Sequence, residues 1–194
     1  MNSPISEALL LRATATTLDA HRAKLPQVSG PFRLPDPIGV AGQITELGRS
    51  ITEMGDEYLF RAGAPAPQEH TAHTAEALAS AIGSVAQAAS ALGTVAQQIA
   101  FVARTAGKRD DVGYEDAHTV AGQMIEFAVE TANDDLAEAA QTLRTAASAV
   151  SPPAVQLQRA ALARSPGATA TAPAPTATAA PATAAVQRAP ARSR

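Results

Sequence analysis

Four stretches of the chain repeat apolar residues at intervals of three and four, the spacing of a single helix face. The clearest runs through Leu78, Val85, Leu92 and Ile99, with Ala81, Ala88, Val95 and Val102 three residues further on and Ile82, Ala89, Ala96 and Ala103 widening the face. This heptad seam predicts a helix from about Gln68 to Ala106. Within it, Ala77–Ala103 holds 27 residues without a charge, about 40 Å of helix. The face opposite the seam carries Ser80, Ser84, Gln87, Ser90, Thr94, Gln97 and Gln98, polar but never charged.

The next stripe runs through Ile125, Val129, Ala132, Leu136, Ala139, Leu143, Ala146 and Val150, and its outer face is acidic with Glu126, Glu130, Asp134, Asp135 and Glu138. It predicts a helix capped by Asp116 and stopped by Pro152 and Pro153. A short turn near residues 107–115 makes these two helices antiparallel. Facing residue numbers then add to about 221: Leu78 meets Leu143, Val85 meets Leu136, Leu92 meets Val129 and Ile99 lies near Gly122. Large side chains face large ones, the packing of a coiled-coil-like hairpin.

Two shorter helices precede the hairpin. Ser3 as cap, Pro4 in the first turn and Glu7 at the positive end of the dipole start one that runs to about Lys24. Its stripe is Leu11, Thr14, Leu18, His21 and Leu25, with Ile5 and Leu9 upstream. Prolines 26, 31 and 35 make LPQVSGPFRLP an extended connector, with Val28, Phe32 and Leu34 expected to pack on the bundle. Asp36 and Pro37 then start a helix with the stripe Ile44, Leu47, Ile51, Met54 and Tyr58, ended by Arg61–Pro67. Its glycines 39, 42, 48 and 55 suggest close backbone approach. Residues 36–47 and 116–127 share Asp, Val, Ala, Gly, Gln and Glu at matching places, with a weaker echo at Val95–Phe101. The echo points to duplicated or convergent packing that would make the second and fourth helices equivalent.

The expected fold is therefore all-α. Residues 1–150 form an elongated antiparallel bundle of three or four helices, and 151–194 a disordered Ala/Pro/Thr-rich tail whose first island, Ala154–Ser165, is long enough for about three turns of helix. Composition agrees: alanine dominates, aromatics are 3%, and Trp and Cys are absent, which favours narrow helical packing over a bulky core. The alanine excess is of the kind a GC-rich bacterial genome produces. Without cysteine there is neither a disulfide nor a thiolate metal site.

Charge divides the chain. Residues 1–150 hold 10 Lys/Arg and all 18 Asp/Glu, a net of −8, while 151–194 hold five Arg and no acid. An acidic body without stacking aromatics disfavours nucleic-acid binding. The tail repeats a motif, AVQ…RA…ARS, that places Arg159, Arg164, Arg188 and Arg192 as candidate contacts for a protein partner.

Candidate chemistry is sparse. Glu69, His70, His73 and Glu76 cluster at a helix start, but a bundle metal site needs further carboxylates and Glu-x-x-His from facing helices. A wet first turn is the simpler reading, and a metal-binding bundle stays the weaker alternative. His21, His70, His73 and His118 are scattered, and no nucleophile–base set can be assembled from them. No cofactor is implied. The N-terminus has no basic region before its leucines and does not read as a signal peptide. A cytoplasmic location is expected, with export by another route left open. The uncharged helix is long enough to span a membrane, but Gln87, Gln97, Gln98 and its many Ser and Thr disfavour insertion.

A long antiparallel hairpin in an Ala-rich chain resembles, in outline, the small secreted substrates of type VII secretion. Those carry Trp-x-Gly in the turn and Tyr-x-x-x-Asp/Glu after the hairpin. Here the turn reads KRDDVGYED, Tyr114 is followed four on by His118, and Tyr58 by Ala62. These residues assign no family. The functional expectation is a non-enzymatic interaction or assembly protein, self-associating or bound to a protein partner, with Ser84, Gln87, Thr94 and Gln98 on its uncharged face. The alternative is a membrane-active or secreted protein that exposes that helix.

Overall fold

The hairpin seam organises the structure, a computed structural model that describes residues 3–27, 33–65, 68–108 and 112–164. Its long arms are α3 (Glu69–Thr105) and α4 (Val112–Val150), joined at the described end of α3 by a single 3-10 turn, Ala106–Lys108. Their shared interface is the largest between any two elements. Leu78, Ala81, Val85, Ala88, Leu92 and Val95 of α3 are fully buried, as are Ile125, Ala132, Leu136, Ala139 and Leu143 of α4. Near the turn, Thr105 Oγ1 lies 2.7 Å from His118 Nε2, and the Phe101 ring meets His118 edge-on at 6.1 Å. Both contacts fit the antiparallel pairing read from the seam. His118 is thus half-buried.

Two shorter helices cover one end of this hairpin. α1 (Pro4–Ala23) packs on α4, and α2 (Pro37–Ala62) packs on α3. Both start as the sequence predicts. Ser3 Oγ accepts from Ser6 N, and the Asp36 carboxylate accepts from Ile38 N and Gly39 N at 3.3 and 2.9 Å. The result is an all-α, antiparallel bundle of four helices. Arg12 donates to Ala147 O (3.3 Å) and Ser151 Oγ (2.8 Å), and Arg144 pairs with Asp19. These contacts set the short pair beside the start of α3 and the end of α4. With 37 and 39 residues against 20 and 26, the long pair runs on beyond the short pair at the turn end.

α1 and α2 hardly touch through their backbones. They are joined instead by side chains at two levels. At one, Arg61 Nε donates to Glu7 Oε2 at 2.7 Å, and its Nη1 bonds Glu57. Glu7 is 0% and Arg61 5% exposed, and Glu7 Oε1 is buried without a hydrogen bond. Burial pulls the Arg61 guanidinium down, and its bonds to Glu7 and Glu57 more than offset this, holding it above its ordinary value. At the other level, Lys24 and His21 both reach Glu46 Oε2, at 2.8 and 3.3 Å.

Several expectations change. Glu7, expected in the first turn for its charge at the helix dipole, is fully buried at the N-terminal end of α1's buried face, beside Ala8, Leu11, Ala15 and Leu18, while Ile5 and Leu9 are exposed. α4 begins at Val112, so Asp116 lies inside the helix and is no cap. The two echoed segments also face differently: Val40 and Leu47 are buried, whereas Val120 and Phe127 are exposed. The second and fourth helices are therefore not equivalent in packing. Close approach does not explain glycines 42, 48 and 55, since a Cβ at each would meet nothing within 4 Å. Nothing in the structure accounts for them.

Contacts divide the chain into two compact units, Met1–Leu157 and Gln158–Arg194. A fifth helix, α5 (Pro153–Arg164), runs across the boundary and gives the start of the tail helical structure. In the first unit, Gln156 Nε2 donates to Ser148 O (2.8 Å) and Ser151 O (2.6 Å), capping carbonyls at the end of α4. Leu34 packs on the core as expected. Val28, Phe32, Arg188 and Arg192 lie outside the described residues.

Arg61→Met should lower unfolding free energy in urea by about 3–5 kcal/mol, because the buried Glu7 carboxyl loses its partner. Adding Glu7→Leu should return most of that loss. A double variant no more stable than Arg61→Met alone would show that the pair is not the source of the loss.

Candidate functional site

The uncharged face of α3 meets α4 in an open groove of about 660 Å³. Gln87, Ser90, Ala91 and Thr94 form one wall. Val120, Gln123, Met124, Phe127, Ala128, Thr131 and Asp135 form the other. Of the residues singled out by sequence, the groove gathers Gln87 and Thr94. Ser84 and Gln98 are half-buried on α3 and do not line it, and Arg159 is exposed on α5.

The α4 wall was missed by the sequence reading. Val120, Met124 and Phe127 are 52, 43 and 72% exposed. Together with Thr131 they step at four, three and four residues, so they form a second stripe beside the buried one. That spacing was the available signal, masked by the acidic residues interleaved with it. The groove's threonines add little polarity. Thr131 Oγ1 donates to Phe127 O at 2.9 Å and Thr94 Oγ1 to Ser90 O at 3.5 Å, so each hydroxyl is satisfied by its own helix.

Asp135 ends the groove and is the one charged side chain in its lining. Its Oδ2 is buried and accepts no hydrogen bond. Burial raises its pKa, and the neighbouring charges of Glu138 and then Asp134 raise it further. Glu130, Asp134 and Glu138 are exposed beside this wall.

A smaller apolar area lies at the other end of the bundle. Ile5, Leu9, Leu59 and Phe60 are exposed, and a groove there is lined by Ser6, Leu10, Asp56, Glu57, Phe60 and Arg61. The Arg61 guanidinium lies 5.9 Å from the Phe60 ring centre.

The structure does bring a nucleophile and a base together, against expectation. His21 Nε2 is 3.0 Å from Ser50 Oγ, and His21 Nδ1 is 3.3 Å from Glu46 Oε2. The order matches an acyl-transfer triad, but its surroundings do not. Ser50 is buried in the middle of α2, where the amides close the helix's own hydrogen bonds, so none is free to receive an oxyanion. The Glu46 oxygen is also shared with Lys24, whose hydrogen bond and charge hold its carboxyl below the usual range, with a smaller effect from His21. The trio bridges α1 and α2.

At the start of α3, His73 approaches Glu69 at 3.7 Å and Glu76 at 3.9 Å, all three largely exposed. Among the described residues no three His, Asp or Glu side chains converge as a metal site. Among those residues, α3 is the helix long and apolar enough to cross a membrane by length and composition, and 39% of its most apolar stretch is buried in the bundle.

Comparison with protein-family models, with curated proteins and with solved structures found no match.

The raised pKa of Asp135 carries a sign that can be measured. The folded chain holds this proton to higher pH than the unfolded chain, so its contribution to stability falls as pH rises through the folded value. Asp135→Asn should therefore raise the melting temperature at pH 7, and the gain should vanish once the pH is low enough to protonate the native carboxyl. Circular dichroism melts across pH test this. A lower melting temperature for the variant at pH 7 would contradict it.

Proposed function

We propose that the chain is a non-enzymatic helical interaction or assembly module. The α3–α4 hairpin supplies a rigid frame, and the groove beside it supplies the contact surface. The lining of that groove carries the reading: Val120, Met124 and Phe127 stand exposed along one wall, and the facing α3 wall has no charge. A contiguous apolar patch rimmed by polar residues suits protein contact. The groove is open and has few convergent polar groups, unlike a small-molecule site. The tail arginines, Arg159, Arg164, Arg188 and Arg192, would add a contact of opposite charge. The Ser50–His21–Glu46 trio serves as a clasp between α1 and α2. A cytoplasmic setting goes with this reading.

The length and apolarity of α3 support a second reading, a membrane-active protein that opens its hairpin. Flotation of the full chain with lipid vesicles separates the two. The protein should stay out of the lipid fraction, and co-flotation would transfer the proposal to the membrane.

An ester-hydrolysis assay tests the clasp. The chain and Ser50→Ala should hydrolyse p-nitrophenyl acetate at the same background rate. A rate that drops on substitution would make the trio catalytic.

A further inference from the structure

We propose that the α3–α4 groove receives a basic amphipathic helix of a protein partner, its apolar face on Val120, Met124 and Phe127 and an arginine or lysine at Asp135. This deepens the interaction reading and rests on it. From Val120 to Asp135 the α4 wall spans four turns, about 22 Å. Its apolar members fall at the spacing that helix-in-groove recognition uses for anchors. A partner helix of similar length would cover them.

Charge selects the occupant. Among the described residues Asp135 is the one charged group lining the groove, and one of its oxygens is buried without a donor. Glu130, Asp134 and Glu138 continue the same sign beside it. The facing wall offers Gln87, Ser90 and Thr94, so no cation there competes for Asp135. A cationic side chain on the occupant would pair with the part of the Asp135 carboxyl that lines the groove, and a charged bond in a sheltered place is among the stronger ones. The same charges weigh against the other candidates. The body of a second copy carries −8, and its own exposed apolar end at Phe60 is rimmed by Asp56 and Glu57. Docking it would set acid against acid. Anionic lipid and nucleic acid meet the same repulsion.

The test uses the full chain and two labelled peptides of about four helical turns. One carries a Leu stripe flanked by Arg, and the other the same stripe flanked by Glu. Fluorescence anisotropy should show saturable binding of the Arg peptide alone, weakening with salt. Phe127→Ser and Asp135→Asn should each weaken it about tenfold, and both positions reach solvent, so circular dichroism should show an unchanged fold. Absence of saturable binding, or binding indifferent to both substitutions, overturns the proposal. So does tighter binding by a chain with Arg159, Arg164, Arg188 and Arg192 changed to Gln, which would place the chain's own tail in the groove. Sedimentation separates this failure from that of the broader reading. If the Arg peptide does not bind but self-association appears and is lost in Phe127→Ser, the interaction reading stands and the basic partner falls. If neither occurs, both fall.

Discussion

Everything in the first unit hangs on the seam between α3 and α4. Its residues are small or medium: alanines are interspersed with leucine, valine and isoleucine, and among the described residues no aromatic ring is buried in it. Each contact is modest, so stability has to come from length. The two arms run for roughly 55 Å with their facing rows closed to water. The alanines, most of them on α4, let the backbones come near, and the larger residues fill the remaining gaps. The same arrangement leaves little tolerance for voids, because a missing methylene has no bulky neighbour to close over it.

The short helices are attached by a different chemistry. α1 and α2 pack on separate arms of the hairpin, so their mutual space is bridged by polar side chains: Glu7 with Arg61 at one level, and His21, Ser50, Glu46 and Lys24 at the other. A fully buried carboxylate with one oxygen unsatisfied is not chosen for stability alone, since paired apolar residues would serve as well or better. What it supplies is a single register. Arg61 can satisfy Glu7 in one position of α2 along α1, and a slip by one turn would carry it away from Glu7 together with its own-helix partner Glu57.

Much of this was legible in the residues. Helix starts followed from Ser3–Pro4 and Asp36–Pro37, because capping is local chemistry. The seam and its antiparallel match followed from spacing. What failed depended on facts that periodicity cannot hold. Glu7 reads as a surface acid until Arg61, 54 residues away, is known to face it. Asp116 resembles a cap only if the helix starts there, and α4 starts a turn earlier. The echo between 36–47 and 116–127 is real in letters, but one copy turns Val40 and Leu47 inward and the other turns Val120 and Phe127 outward. That difference belongs to the neighbours of each helix. The groove was half-read: the uncharged wall was noticed for its composition, while its apolar partner was hidden among glutamates and aspartates.

The contact of Arg12 with Ala147 and Ser151 joins residues 135 and 139 positions apart. During synthesis, α1 is made well before the surface it rests on. At ordinary rates the wait is on the order of ten seconds. Through that interval Leu11, Ala15 and Leu18 have no α4 to cover them, and α2 gives them little shelter. Glu7 stands at the N-terminal edge of the same face, a carboxyl group beside those apolar residues. The residue that is hardest to bury in the finished bundle thus borders an apolar row whose cover arrives late.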